Sequence, residues 1–335
     1  MKKVILSVLA VAALASCAQE DVVYNTPGNA IAFDNAFVGN TTKAIDPSIT
    51  TESIEEKKFY VWGNTKGDHD GAKIVPIFKN LEVEYVGGWN YAEAYTQYWI
   101  DGNIYNFAAV VNGVVEDAEL VNGLPQTIHY TAGNGDLLYA AYGPYEAEAS
   151  GNPAVPFSFE HLLSKAVFTF TNTTPENTTN SPDNIYKVTN IQISGLGNEA
   201  AYDVATGWGT STGSYTATFG DIVAADATAV AAAAEIKEQG TGKSNHECLL
   251  IPGTHNVTIT CTITLYNGVA DKDHVVDIIN YNKTLPLTLA EGIAYNLNLT
   301  AGLTQAIEFK AEAVANWNNP YAEIDDIPEQ GHDNN

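Results

Sequence analysis

Along much of this chain, apolar residues recur at every second position, in short runs. The cleanest run is Val257-Thr-Ile259-Thr-Cys261-Thr-Ile263-Thr-Leu265, apolar on one face and threonine on the other. A period of two marks a strand with one buried face, as an antiparallel sheet allows. Phe168 and Phe170 alternate with Thr169 and Thr171, and Tyr295-Leu297-Leu299 and Ile307-Phe309-Ala311-Ala313 repeat the pattern. Residues 59–62, 75–86, 136–145, 188–196 and 215–219 add branched and aromatic segments of strand length. AIAFDNAFV (30–38) predicts a first strand carrying Ile31, Phe33 and Phe37 into the core. Residues 248–251 and 257–265 flank a Pro-Gly turn at 252–256 and predict a hairpin. VAADATAVAAAAEIK (223–237) predicts one short Ala-rich helix.

Turn signals divide these strands into two groups. EAEASGNPAVP (146–156) is rich in small residues, Gly and Pro, and marks a domain boundary. NTTPENTTNSPDN (172–184) is a long polar loop, and 325–335 reads as a frayed tail. Many short strands in two halves predict an all-β chain of two β-sandwich domains, at 44–150 and 151–335. No short repeat is visible, which argues against a solenoid or propeller.

The N-terminus follows a different pattern. Lys2 and Lys3 precede an apolar run from Val4 to Leu14, and Leu14-Ala15-Ser16-Cys17 follows. A basic start, a short apolar core and small residues form a secretory signal peptide, too short to span a bilayer as a helix. Leu-Ala-Ser-Cys resembles the lipobox of bacterial lipoproteins, in which the Cys is acylated and becomes the first mature residue. Residues 1–17 are therefore expected to be a lipoprotein signal, with Cys17 lipidated (palmitate among its acyl chains). Residues 18–43 are then a tether and first strand.

Charge and composition narrow the function. The formal charge is −25, and loss of Lys2 and Lys3 with the signal makes it −27. Such a surface repels phosphate backbones and excludes nucleic acid as a natural partner. Arginine is absent and all fifteen basic residues are lysine, so bidentate clamps on carboxylate or phosphate are unavailable. Besides Cys17, the chain has Cys248 and Cys261, in a compartment where disulfides form. If the hairpin turns at 252–256, the two thiols fall nearly opposite and could bridge.

Candidate chemistry is sparse. Gly209-Thr-Ser211-Thr-Gly213 has the letters of a hydrolase elbow, but that motif needs a helix after it, and strand-like SYTATF follows. It reads as a turn. Asp68-His69-Asp70 and Asp271, Asp273 and His274 lack EF-hand or zinc spacing and read as solvated acidic turns. His161 reads as a structural histidine. Trp89, Tyr91, Tyr95, Tyr98, Trp99, Tyr105 and Phe107 could stack sugars, but core packing is the expected role. No catalytic grouping, metal site or cofactor site is expected, so the chain is not read as an enzyme.

Three places carry a resemblance. They are the lipobox with a tether and a strand ending in Thr-Thr-Lys43-Ala44; Phe159-Glu-His161-Leu-Leu-Ser-Lys165-Ala-Val-Phe-Thr-Phe; and Ile307-Glu-Phe309 through Val314-Ala-Asn-Trp317-Asn. Together the chain resembles the Bacteroidales fimbrillin family, the pilins of type V pili. The resemblance implies two transthyretin-like sandwiches and export through the periplasm to the outer-membrane surface as a lipoprotein. It also implies proteolysis in the loop after the first strand, usually at Arg. The opened groove then takes a C-terminal strand of another subunit. The partners implied are other pilin subunits, accessory fimbrial proteins, the outer membrane through Cys17, and an adhesive ligand of host or bacterial surface. In this sequence Lys43 stands where the Arg is expected, so cleavage between Lys43 and Ala44 is the favoured expectation. Retention of the strand, as in an anchor or tip subunit, is the alternative. Ile307, Phe309, Ala311, Ala313 and Trp317 are the donor-strand candidates. A surface glycan-binding lipoprotein using Trp89 and Trp99 is the other reading.

Overall fold

The computed structural model describes residues 29–38, 49–51, 53–67, 73–176, 182–227, 231–303 and 305–316. Ten strands come first: β1 (Phe33–Val38), β2 (Lys58–Lys66), β3 (Ile74–Tyr85), β4 (Trp89–Asn90), β5 (Ile104–Val111), β6 (Leu120–Val121), β7 (Leu124–Pro125), β8 (Thr127–Thr131), β9 (Leu138–Glu146) and β10 (Val155–His161). Next are β11 (Ser164–Asn172), β12 (Asn184–Leu196), β13 (Glu199–Asp203), β14 (Gly207–Trp208), β15 (Tyr215–Gly220), β16 (Ile222–Ala224) and β17 (Thr241–Ser244). Last are β18 (Cys248–Leu250), β19 (Gly253–Asn267), β20 (Val275–Leu289), β21 (Ile293–Gly302) and β22 (Gln305–Asn316). Among the described residues the helices are single 3-10 turns, at Ile54–Glu56, Glu93–Tyr95 and Asp117–Glu119.

The all-β reading holds, because the alternating segments find partners over long sequence separations. One sheet runs β1-β10-β9-β5-β2-β3-β4. A second runs β16-β17-β11-β21-β22 with β18 also on β11, and a third runs β15-β12-β19-β20. The pairs β1–β10 and β11–β21 are parallel and the other strand pairs antiparallel. The first sheet folds around an aromatic core that includes Phe33, Phe59, Phe78, Phe107, Phe157 and Phe159. The second and third sheets enclose a core of Phe168, Phe170, Phe219, Ile259, Leu297 and Phe309.

A third core was not legible in the pattern. Trp62, Val110, Ile128 and Tyr130 pack with Leu162, Leu163, Leu249 and Ile251, so both halves of the chain contribute. Above it β8 pairs with β13, with Tyr130 opposite Ala200 and Ile128 opposite Tyr202. Strand membership changes at Leu162-Leu163, after β10, whereas the composition break at 146–156 runs from the last residue of β9 to the first two of β10. A short break rich in small residues marks a loop, and that loop here joins two neighbouring strands of one sheet, β9 and β10.

Two elements differ from expectation. The described residues of 223–237 (223–227 and 231–237) are not helical. Val223 and Ala224 lie in β16, paired with β17, and Ile236 exchanges both backbone hydrogen bonds with Tyr186 at 2.9 Å. Alanine's helix preference is a few tenths of a kcal/mol per residue, and edge pairing outweighs it here. Residues 248–265 are not a hairpin. β18 pairs with β11 while β19 pairs with β12 and β20, so Pro252 marks a corner between sheets. Cys248 and Cys261 are therefore on different sheets, and both thiols are free. Burial pushes each thiol up to about 12, which keeps it protonated and unreactive.

Candidate functional site

β1 lies at the edge of its sheet and is hydrogen-bonded as a strand to β10 alone. Its register starts with Phe33 opposite Val155 and ends with Val38 opposite Phe159, with one slip between Asp34 and Phe37. The slip is a bulge, and it changes which residues face inward. Ile31, Phe33, Ala36 and Val38 are buried, whereas Phe37 is 53% exposed. The expected inward role of Phe37 is thus corrected: alternation counted from Phe33 fails at the extra residue, and Val38 takes the place.

Phe33 is the centre of the aromatic core. Its ring stacks on Phe157 at 5.7 Å and meets Phe78 at 5.8 Å, Tyr91 at 5.6 Å and Phe107 at 6.4 Å. Backbone groups before β1 are also satisfied by this half of the chain. Ile31 N–H donates to Gln97 O at 2.8 Å, Tyr91 Oη donates to Ile31 O at 2.6 Å, and Val155 N–H donates to Ala32 O at 2.8 Å. Burial of Ile31, Phe33 and Val38 is worth about 1.5–3 kcal/mol each, on the order of 5–9 kcal/mol together. That is a large part of an ordinary domain's net stability of about 5–15 kcal/mol.

Past the sequence-predicted cut, the chain re-enters the described structure at Ile49. Its N–H donates to Asp136 Oδ2 at 2.8 Å, and the same oxygen accepts from His161 Nδ1 at 2.8 Å. Asp136 and His161 have fully buried side chains. His161 ends β10, the strand that β1 covers. The point at which the chain re-enters at Ile49 and the strand that pairs with β1 are therefore joined through one carboxylate. A lone Asp before an apolar run gave no signal of this, because its partners are 87 and 25 residues away.

The C-terminal candidates Ile307, Phe309, Ala311 and Ala313 share one face of β22. Phe309 and Ala311 are buried, and Ile307 and Ala313 pack partly buried against the same core. Phe309 lies 6.0 Å from Phe168. β22 pairs with β21 and closes the edge of its sheet, with Val314 52% exposed. In the single subunit this strand is already docked in its own core. Cys17, Lys43, Ala44 and Trp317 lie outside the described residues.

The remaining sequence candidates fall into structural roles. Trp89, Tyr91, Trp99, Tyr105 and Phe107 are buried in the first core, so neither tryptophan offers a sugar-stacking face. Tyr95 and Tyr98 are exposed. Asp271 accepts from His274 Nδ1 at 2.7 Å and from Asp273 N–H at 2.9 Å, a turn closed on itself. Asp68-His69-Asp70 lies outside the described residues. No group of three metal-ligating side chains occurs among the described residues. Gly209–Gly213 runs between β14 and β15, without a following helix.

Comparison with known proteins agrees with this architecture. The sequence profile described as fimbrillin-like matches residues 42–317. A fimbrial protein from Bacteroides vulgatus superposes with a TM-score of 0.59 at 16% identity, covering 86% of this chain and 99% of that one. The fimbrial anchor protein Mfa2 from Porphyromonas gingivalis covers 86% of this chain and 97% of its own at 11% identity, with a TM-score of 0.32. No curated protein matches the sequence. The match over most of the chain decides the assignment: the protein belongs to the fimbrillin-like family.

Proposed function

We propose that this protein is a structural, non-enzymatic subunit of a cell-surface pilus that supports adhesion. It is exported as an outer-membrane lipoprotein on Cys17, cut between Lys43 and Ala44, and joined to its neighbours by a replacement strand. The observation that carries this reading is β1. It supplies the central aromatic residue of the first core, yet it pairs with one strand only, at a sheet edge, and the chain is refastened at Ile49. Removal of β1 leaves an apolar groove beside the unpaired edge of β10. Such an edge is a template for an incoming strand, and the lost burial drives its capture.

The incoming segment is the C-terminal one of another copy. β22 carries an alternating apolar face, with Phe309 and Ala311 buried, of the kind such a groove takes. Because Phe309 is packed in its own core, donation requires β22 to leave that core or the segment beyond Asn316 to act.

Brief trypsin treatment of the full-length precursor tests the proposal. The expected result is an N-terminus at Ala44 and a ladder of oligomers resistant to mild denaturant. Cleavage at Lys43 that yields only monomers, over a range of protein concentrations, overturns the shaft-subunit reading. Surface protein that retains acylated Cys17 indicates an uncut anchor or tip subunit instead.

A further inference from the structure

We propose that a cleft in the C-terminal half binds a small neutral saccharide. Three segments meet there: Gly195–Asn198, from the end of β12 into the link to β13, Gly207–Gly213 around β14, and Pro252–Asn256 at the corner into β19. They line an open cleft of about 500 Å³. Its wall combines the Trp208 indole, hydroxyls from Thr210, Ser211 and Thr254, and the buried His255 ring. No Asp, Glu or Lys lines it, in a chain with forty acidic residues. The size falls within the range of ordinary ligand sites, roughly 300–1,000 Å³.

The cleft is built by close packing of the segments themselves. A Cβ on Gly197 would lie 2.1 Å from Ser211 Oγ, and one on Gly195 would lie 2.6 Å from the carbonyl oxygen of Asn256. Gly195 has φ +84° and Gly213 φ +71°, so glycine is needed at both. Trp208 is held in place: its Nε1–H donates to Leu162 O at 2.7 Å, and Tyr202 and Tyr130 meet its ring edge-on at 5.5 and 6.3 Å. His255 Nε2 lies 2.9 Å from Ile251 O. A carbonyl only accepts, so that nitrogen carries hydrogen and the neutral ring has Nδ1 as its acceptor.

These features select one chemistry. A partly buried indole at the wall of a cleft suits the apolar C–H face of a sugar ring. Hydroxyls and bare glycine backbone donate to and accept from ring hydroxyls. An uncharged wall gives no counter-ion to phosphate, sulfate or a sugar acid, and the net negative chain repels them. Gly209-Thr-Ser211-Thr-Gly213 thus contributes a wall, whereas Trp89 and Trp99 are core. The inference does not depend on processing at Lys43.

Saturation-transfer NMR on the full-length protein tests it. The panel is glucose, galactose, mannose, N-acetylglucosamine and lactose, with sialyllactose and a sulfated galactose as anionic controls. The expected result is saturable transfer to ring protons of at least one neutral sugar and none to the anions. Trp208→Ala removes the signal. Because Trp208 also packs on Tyr130 and Tyr202, Thr210→Glu is the second variant. It places a charge on an exposed rim residue and is expected to weaken binding at least about tenfold with an unchanged melting temperature. Absence of transfer to every neutral sugar at millimolar concentration, a preference for the anions, or full binding by Thr210→Glu overturns the proposal.

Discussion

The backbone N–H of Ile49 donates to Oδ2 of Asp136 at 2.8 Å, across 87 residues of chain. The bond fixes where the polypeptide enters the first core, independently of β1. Asp136→Ala leaves two buried donors, Ile49 N–H and His161 Nδ1–H, without this acceptor. Each costs about 1–3 kcal/mol. Urea unfolding of the full-length chain is expected to show a lowered midpoint with an unchanged slope. Wild-type stability in this variant would contradict the fastening role.

Phe33 and Phe37 are predicted to behave oppositely, although they lie four residues apart on one strand. Phe33→Ala opens a cavity at the centre of the aromatic core and is expected to cost about 3–5 kcal/mol. Phe37→Ala touches an exposed ring and is expected to stay within about 0.5 kcal/mol of wild type. Thermal or denaturant unfolding of the uncut precursor checks both. Equal effects would place the bulge elsewhere.

Glu291 predicts a pH dependence at the junction of the two halves. Burial raises its pKa above the ordinary value of 4.5; Tyr202 Oη donates to it at 3.0 Å, and Glu160 adds repulsion. A carboxyl with a raised folded-state pKa binds its proton more tightly when folded, so ionisation costs stability as pH rises. The cost is present at neutral pH and is relieved as the pH falls toward 4.5. Glu291→Gln keeps an oxygen that accepts from Tyr202 and carries no charge. It is expected to melt higher than wild type at pH 7, with the difference shrinking toward pH 4.5. Parallel melting curves across that range decide it.

The two internal cysteines are expected to resist native alkylation at pH 8, since burial holds both thiols near 12. Denaturation in iodoacetamide should label Cys248 and Cys261 fully, without prior reduction. A disulfide-linked peptide joining them would contradict their placement on separate sheets.

The legible parts of the site were its ends. The run 30–38 announced β1 and the run 307–313 announced β22, because each carries alternating apolar residues long enough to read. What lies between was hidden. Asp136 and His161 carry no local signal, and the cleft around Trp208 depends on three segments that are far apart in the chain. The face of Phe37 turned on a bulge, which no alternation count can locate.

By itself the sequence determined the class of fold and the strand-rich composition. Period-two burial follows from local backbone geometry, and 257–265 or 307–313 could be nothing else once one face had to leave water. Only the tertiary structure decided which strands meet. Residues 223–237 have the composition of a helix, yet Ile236 bonds Tyr186. Cys248 and Cys261 look paired in the sequence, yet Pro252 sends their strands to different sheets. β8 and β13 join the halves over some seventy residues. Such pairings are chosen by the burial of whole faces and by the satisfaction of long-range backbone hydrogen bonds. Their energies exceed the few tenths of a kcal/mol per residue that local propensity supplies.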